Sequence, residues 1–181
     1  MNWAIARLLG LAAGGTAPHI FTTLGRHRRL FRPWLRFAGA LMPRGELARA
    51  DSELLILRVA WLCDCEYEWR HHERIAADEG LDRGAVARVR RGAEAPEWTA
   101  RQAALLRAAD ELHERRTLSD IRWQELRPLL SDAQLIELCM LVGHYEMLAM
   151  TLNALAVAPD ELGQPSVLMR ILRGRLLRSR S

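Results

Sequence analysis

The sequence predicts an all-α fold, and three observations carry that expectation. Apolar residues recur at three- and four-residue spacing along every long segment, and no segment alternates with period two. Leu and Ala are abundant while Val and Ile are few, a mixture that favours helix over sheet. Helix-ending breaks fall at Gly14-Gly15, Pro43-Arg44-Gly45, Gly80, Gly92 to Pro96 and Gly163 to Pro165, and the stretches between them have helical lengths. With 181 residues, no internal repeat, no low-complexity tract and no linker, a single domain over 1–181 is expected.

In chain order, Met1 to Ala13 is a short apolar run with one Arg, lacking a charged leader and a clear cleavage site, so it is not read as a signal peptide. His19 to Met42 carries Ile20, Phe21, Leu24, Leu30, Phe31, Trp34, Leu35, Ala38 and Leu41, which fits two short helices broken near His27 or at Pro33. Asp51 or Ser52 is placed to cap the next helix, apolar on most sides through Leu54, Leu55, Ile56, Leu57, Val59 and Trp61 and therefore buried. Asp64 is placed to cap a helix running to about Glu79, ended by Gly80. A short helix follows from Asp82 to Arg91. After Pro96 a long one is expected from Glu97 to Arg115, with Ala104, Leu105, Ala108 and Leu112 on one stripe. Ser119 is placed to cap a helix carrying Ile121, Trp123 and Leu126. Ser131-Asp132-Ala133-Gln134 has the form of a capping box, opening a helix through Ala156 with Leu135, Leu138, Cys139, Val142, Met147, Met150 and Leu155, and Pro159 ends it. Val167 to Arg178 reads as a last amphipathic helix, Leu168, Ile171, Leu172 and Leu176 opposing Arg170, Arg173, Arg175 and Arg178.

The formal charge is +4 and all 26 basic residues are Arg, yet they are spread along the chain among 22 acids. A nucleic-acid binder concentrates its charge on one face, so no nucleic-acid partner is expected. No stretch approaches the ~20 apolar residues of a membrane span, so no span is expected either. Three cysteines do not make a secreted disulfide framework, and the reducing cytoplasm is the expected compartment.

Cys65, Glu68 and His72 stand at i, i+3 and i+7, so a helix sets them along one face. In the first turn Cys65 would meet orphan amides and the positive end of the dipole, which lower a thiol pKa. Glu68 one turn from His72 would orient the imidazole and help hold its proton. Glu53, an acid inside an apolar helix, requires a partner, and His72 would supply one. Plainer readings stand beside these: a free Cys is often core, as expected for Cys139, and Glu68 with His72 has the form of an ordinary helix-surface pair. His71 points about 100° away from His72 and is expected in solvent. A metal site from Cys63, Cys65, His71 and His72 is weighed and set aside, because no second CxxC and no HxxxH completes it; neither metal nor cofactor is expected. Trp61, Tyr67 and Trp69 are expected as core or pocket wall.

The run from Glu53 through Trp61-Leu62-Cys63-Asp64-Cys65-Glu66-Tyr67-Glu68-Trp69-Arg70-His71-His72 resembles the core motif of the carboxymuconolactone decarboxylase family, which includes alkyl hydroperoxidase D. Pro18 to His27, Leu106 to His113, and Val142 to Met147 with Asn153 resemble its flanking helices, so the resemblance covers about residues 18 to 158. It implies an alkyl hydroperoxidase D-like helical bundle that forms homo-oligomers: dimers, trimers or hexamers. In the hydroperoxidase branch an acid, a CxxC pair and a His form a proton relay with a redox dithiol. The acid matches Glu53, the first cysteine Cys65 and the His His72. The second cysteine falls on Glu68, so the usual dithiol cycle does not run in this chain. In the decarboxylase branch acid/base chemistry acts on a lactone acid, a role that suits Glu68 with His72.

The expected function is a peroxidase-related antioxidant one, with a small-molecule substrate oxidising Cys65, the protons managed by Glu68, His72 and Glu53, and Cys63 as a conceivable resolving thiol. The alternatives are a cofactor-free carboxymuconolactone-type decarboxylase using Glu/His acid/base chemistry, and a non-catalytic oligomeric module docking through the C-terminal Arg-faced helix.

Overall fold

The computed structural model describes residues 18–160. The opening run 1–13 and the amphipathic helix expected over 165–181 lie outside the described residues. Among the described residues there are eight helices and no strand: α1 (His19–Leu24), α2 (Arg28–Leu41), α3 (Arg49–Leu62), α4 (Glu66–Asp78), α5 (Arg83–Val89), α6 (Ala100–Arg115), α7 (Asp120–Leu126) and α8 (Asp132–Ala154). They fall into two compact units, one containing residues 18–35 and 157–160, the other 36–156.

In the first unit α1 stops at Gly25, and α2 restarts after His27, whose Nδ1 accepts from the Leu30 amide at 3.3 Å. Of the two expected break points, His27 is therefore the one used. Pro33 lies inside α2 without ending it, because it removes a single amide donor near the helix start. The Trp34 ring packs 6.0 Å from Phe21 and 6.0 Å from Phe31. The His19 amide donates to Asp160 Oδ1 at 2.7 Å and ties the returning chain to α1.

The second unit is built around α3. Every residue from Asp51 to Ala60 is buried, and the helix packs against α4, α5, α6 and α8. Leu54, Leu57 and Ala60 meet Trp69 and Ala76 of α4, Val86 and Val89 of α5 and Leu106 of α6 in one apolar cluster. Its start differs from expectation. The N-cap is Ala48, with no side-chain cap. Asp51 is inside the helix and paired with Arg101 Nη2 at 2.8 Å, and Ser52 Oγ donates back to Ala48 O at 3.4 Å. The amides of Glu46 and Leu47, entering α3, are satisfied instead by the Glu137 carboxylate of α8.

Two other starts also move. Asp64 has φ +48°, outside the helix, and Cys65 is the N-cap of α4. Glu97 has φ +77°, so α6 begins only at Ala100, behind a Thr99–Gln102 capping box. Asp82, Ser119 and Ser131 cap α5, α7 and α8 as expected, Ser131 with Gln134 in a capping box. α8 ends at Ala154, before the left-handed Ala156 and well before Pro159.

By length and composition alone α8, 23 residues long with an apolar 18-residue stretch of mean hydropathy 1.4, is apolar enough to cross a membrane, contrary to the expectation that no stretch approaches one. Much of that character comes from a buried face, where Leu135, Leu138, Leu141, Val142, Leu148 and Leu152 are all in the core, while Ile136, Met140, Met147 and Met150 are exposed. It also buries Glu137 and His144, so the helix reads as core.

Candidate functional site

Cys65, Glu68 and His72 follow one another along α4, and Glu53 faces them from α3, all within the second unit. α3 and α4 are joined only by Cys63, Asp64 and Cys65, so they form a tight helical hairpin that lays the second half of the motif against the first. His72 is the centre. Its Nδ1 lies 2.7 Å from Glu53 Oε2, and its Nε2 lies 3.3 Å from Glu68 Oε2. Glu53 is fully buried, Glu68 is 3 % exposed and His72 is 6 % exposed. Arg49, one turn before Glu53, reaches its Oε1 at 3.2 Å. The ring edge of Tyr145, from α8, stands against His72 at 5.1 Å between centroids, and His144 stands beside Tyr145 at 5.4 Å.

This surrounding sets the protonation of His72. Burial alone would strip the imidazole of its charge, and it is the strongest single influence. The hydrogen bonds and charges of Glu53 and Glu68 together overcome it and lift the pKa from 6.5 to about 9. At His144 burial is the larger influence and pushes the imidazole down to about 4, against the opposing Glu68 charge. The Tyr145 phenol is raised by burial and then by the charges of Glu68 and Glu53. One oxygen of the arrangement is left over: Glu68 Oε1 is buried and has no hydrogen-bond partner among the described residues.

Cys65 is 1 % exposed and lies at the floor of a cavity of about 410 Å³, whose walls include Ala60, Trp61, Asp64, Trp69 and Arg90. Trp61 and Trp69 pack edge to face at 6.0 Å, and the Arg90 guanidinium lies over both rings, 4.6 Å from Trp69 and 5.3 Å from Trp61. Tyr67, grouped with the tryptophans in the sequence reading, is instead buried with its ring stacked on His71 at 6.4 Å. His71 is thus half-buried rather than fully in solvent.

The Cys65 thiol departs from the sequence expectation. The amides of Tyr67 and Glu68 do favour its thiolate, as a helix start should. Burial, the larger effect, and the Glu68 charge outweigh them and push the thiol up. Cys65 and Cys63 are both free thiols. Cys63, at the end of α3, turns toward α6, with Sγ 3.9 Å from His113 Nδ1, and burial followed by the Glu146 charge raises it to about 11. Cys139 is half-buried, its thiol also raised by burial.

The sequence reading brings together Glu53, Cys65, Glu68 and His72, and the structure sets all four in one region. It missed Arg49, Arg90, His144 and Tyr145. Arg49 stands at i−4 from a buried acid and was findable on that spacing. The other three approach the motif from α8 and from the end of α5, through packing that no local pattern encodes.

No curated protein sequence matches the chain. Three solved structures share its fold at low identity. One is an uncharacterized peroxidase-related protein from Ralstonia eutropha JMP134, an alkylhydroperoxidase AhpD core, with TM-score 0.79, 18% identity, and coverage of 88% of this chain and 86% of the other. A second, an uncharacterized peroxidase-related protein from Silicibacter sp. TM1040, has TM-score 0.74 and 15% identity over 81% of this chain and 78% of its own. The third, a protein of unknown function from Agrobacterium tumefaciens and putative antioxidant defence protein AhpD, has TM-score 0.65 and 18% identity over 72% of this chain and 90% of its own. The sequence model of the carboxymuconolactone decarboxylase family matches residues 28–111, which contain α3 and α4 with Glu53, Cys65, Glu68 and His72. Over this segment the chain is similar to the carboxymuconolactone decarboxylase family, and its fold is that of the alkylhydroperoxidase D-like structures.

Proposed function

We propose that the chain is a peroxidase-related antioxidant enzyme that reduces organic hydroperoxides at Cys65, in the reducing cytoplasm and without a cofactor. The observation that carries this reading is the buried Glu68–His72–Glu53 chain next to a cysteine that opens on a cavity. A raised thiol needs a base, and His72, already protonated at neutral pH, is not one. The Glu68 carboxylate is, with Oε1 uncommitted and Oε2 on the imidazolium. The thiolate sulfur attacks the outer peroxide oxygen, the O–O bond breaks, and the proton returns through Glu68 to the leaving alkoxide. The products are an alcohol and a Cys65 sulfenic acid. Two equivalents of a thiol reductant then restore the cysteine through a mixed disulfide, releasing water. The indole walls suit an apolar hydroperoxide, and Arg90 suits one bearing an anionic group.

Peroxide consumption with an organic hydroperoxide and a thiol reductant tests this. Cys65→Ser should abolish turnover, and Glu68→Gln should slow it about 10²-fold or more, the usual contribution of a positioned acid/base group. Turnover by Cys65→Ser at the parent rate would end the thiol mechanism.

The raised Cys65 thiol favours a second reading: a cofactor-free decarboxylase of the carboxymuconolactone type, in which Cys65 packs and the Glu68–His72 pair moves protons. That enzyme keeps its lactone-acid decarboxylation after Cys65→Ala and loses it with His72→Gln.

A further inference from the structure

We propose that Cys63, His113 and Glu146 form a binding site for a single divalent transition-metal ion of the zinc class. Their donor atoms, Cys63 Sγ, His113 Nδ1 and a Glu146 carboxylate oxygen, all lie within 4.8 Å of one another, although the residues come from three different helices or helix ends. The residues stand apart from the Glu53–His72–Glu68 chain, and the inference does not depend on the function proposed above.

The geometry separates a metal site from a second thiol relay. In a relay the imidazole bridges two partners with its two nitrogens, taking the thiol proton on one while the acid holds the other. Here a single nitrogen, Nδ1, faces both Glu146 Oε1 at 2.8 Å and Cys63 Sγ at 3.9 Å. Three donors therefore converge on one point, as ligands do. Zinc bonds of about 2.0–2.3 Å hold tetrahedral donors roughly 3.3–3.6 Å apart, so the S···N distance closes slightly and the N···O distance opens slightly.

The neighbours fit such a centre. Arg116 Nη1 binds Glu146 Oε2 and leaves Oε1 as a one-oxygen ligand. Asn153 Nδ2 donates to the Cys63 carbonyl at 2.9 Å and holds the backbone that presents the sulfur. Supports of this kind orient metal ligands. A thiolate with an imidazole and a carboxylate selects zinc-class ions over magnesium or calcium. The side chains of His113 and Glu146 are 26 % and 14 % exposed, which admits an ion and leaves the fourth position to water. Metal-free, Cys63 holds its proton, so binding forms one S–metal bond and releases that proton to solvent. A metal there also keeps Cys63 from resolving an oxidised Cys65.

The test uses the full chain, reduced and stripped with a chelator, and titrated with Co²⁺. A thiolate-to-cobalt charge-transfer band should saturate at one equivalent and be displaced by Zn²⁺. It should vanish in Cys63→Ser, weaken at least about tenfold in His113→Gln and Glu146→Gln, and persist in Cys65→Ser and Cys139→Ser. A band that survives Cys63→Ser, or no band at all, overturns the proposal. Because a variant can fail to fold, the unsubstituted chain supplies an independent measurement. Zn²⁺ should slow alkylation of Cys63, mapped by mass spectrometry, at least tenfold more than alkylation of Cys139, and equal slowing or none also overturns it.

Discussion

At His72 burial and pairing pull in opposite directions, and the outcome sets how stability responds to pH. The folded pKa of about 9 lies above the ordinary 6.5. The stability gained from pairing with Glu53 and Glu68 is therefore fully present below about pH 6.5 and is lost as pH rises through 9. The shift corresponds to roughly 3 kcal/mol. His144 acts the other way. Its folded pKa of about 4 lies below 6.5, so the unfolded chain takes up the proton first and stability falls as pH drops between them. The raised thiols and Tyr145 titrate only above their ordinary values of 9.0 and 10.0, outside this window. Denaturant unfolding followed from pH 4 to 9 should accordingly give a maximum near pH 6.5. His72→Gln should flatten the limb above it and His144→Gln the limb below it; an unchanged alkaline limb in His72→Gln would show that the imidazole is not held charged. Glu53→Gln should destabilise by about 3 kcal/mol at neutral pH, because it leaves a buried charge with half its support. The i, i+3, i+7 spacing of Cys65, Glu68 and His72 made half of this centre readable, because such geometry is local, whereas Glu53, 19 residues before His72, was legible only as an acid in an apolar helix that needs a partner. What the spacing could not weigh was depth. Placing a thiol at a helix start argues for a low pKa, and only the packed structure reveals that burial overrides the two amides at Cys65.

At the scale of the helices, four starts use one device. Asp82, Thr99, Ser119 and Ser131 each accept from the amide three residues on, at Ala85, Gln102, Arg122 and Gln134. Three of these were plain in the sequence because a capping residue precedes an apolar stripe. Thr99 was obscured by Pro96, which looked like a start until the left-handed Glu97 broke the backbone there. Asp51 misled for a different reason: its carboxylate belongs to Arg101, 50 residues away, a partner no local rule supplies. In α8 the capping box satisfies the Gln134 and Ser131 amides reciprocally. Ser131→Ala should cost about 1 kcal/mol, read as a lower denaturant midpoint with an unchanged slope. The entry to α3 depends instead on Glu137 and on the absence of a side chain at Gly45, where a Cβ would stand 2.1 Å from Glu137 Oε1. Gly45→Ala should thus destabilise by displacing that carboxylate from the amides of Glu46 and Leu47, and Glu137→Ala should cost a similar amount.

For the whole molecule, the helical class was readable because the apolar period is unambiguous, and α3 was recognisable as buried because it is apolar all round. α8 is the instructive contrast. Ten of its residues are buried, yet Ile136, Met140, Met147 and Met150 are exposed. With Gly143, where a side chain would meet open space, they lie within about 80° of arc along roughly 21 Å of helix. A helix packed on one side with a charge-free apolar stripe on the other is unusual for an isolated chain. A second copy of the chain is the occupant proposed for it, consistent with the homo-oligomer expected from the family resemblance. Sedimentation equilibrium should then give a mass above the 20.6 kDa of one chain. Met147→Glu combined with Met150→Glu should return it to that value, because each association would bury two carboxylates without partners. The helical circular dichroism of the variant should match the parent, since neither side chain belongs to the core. A parent already at single-chain mass, or a variant that still associates, would remove α8 as the interface.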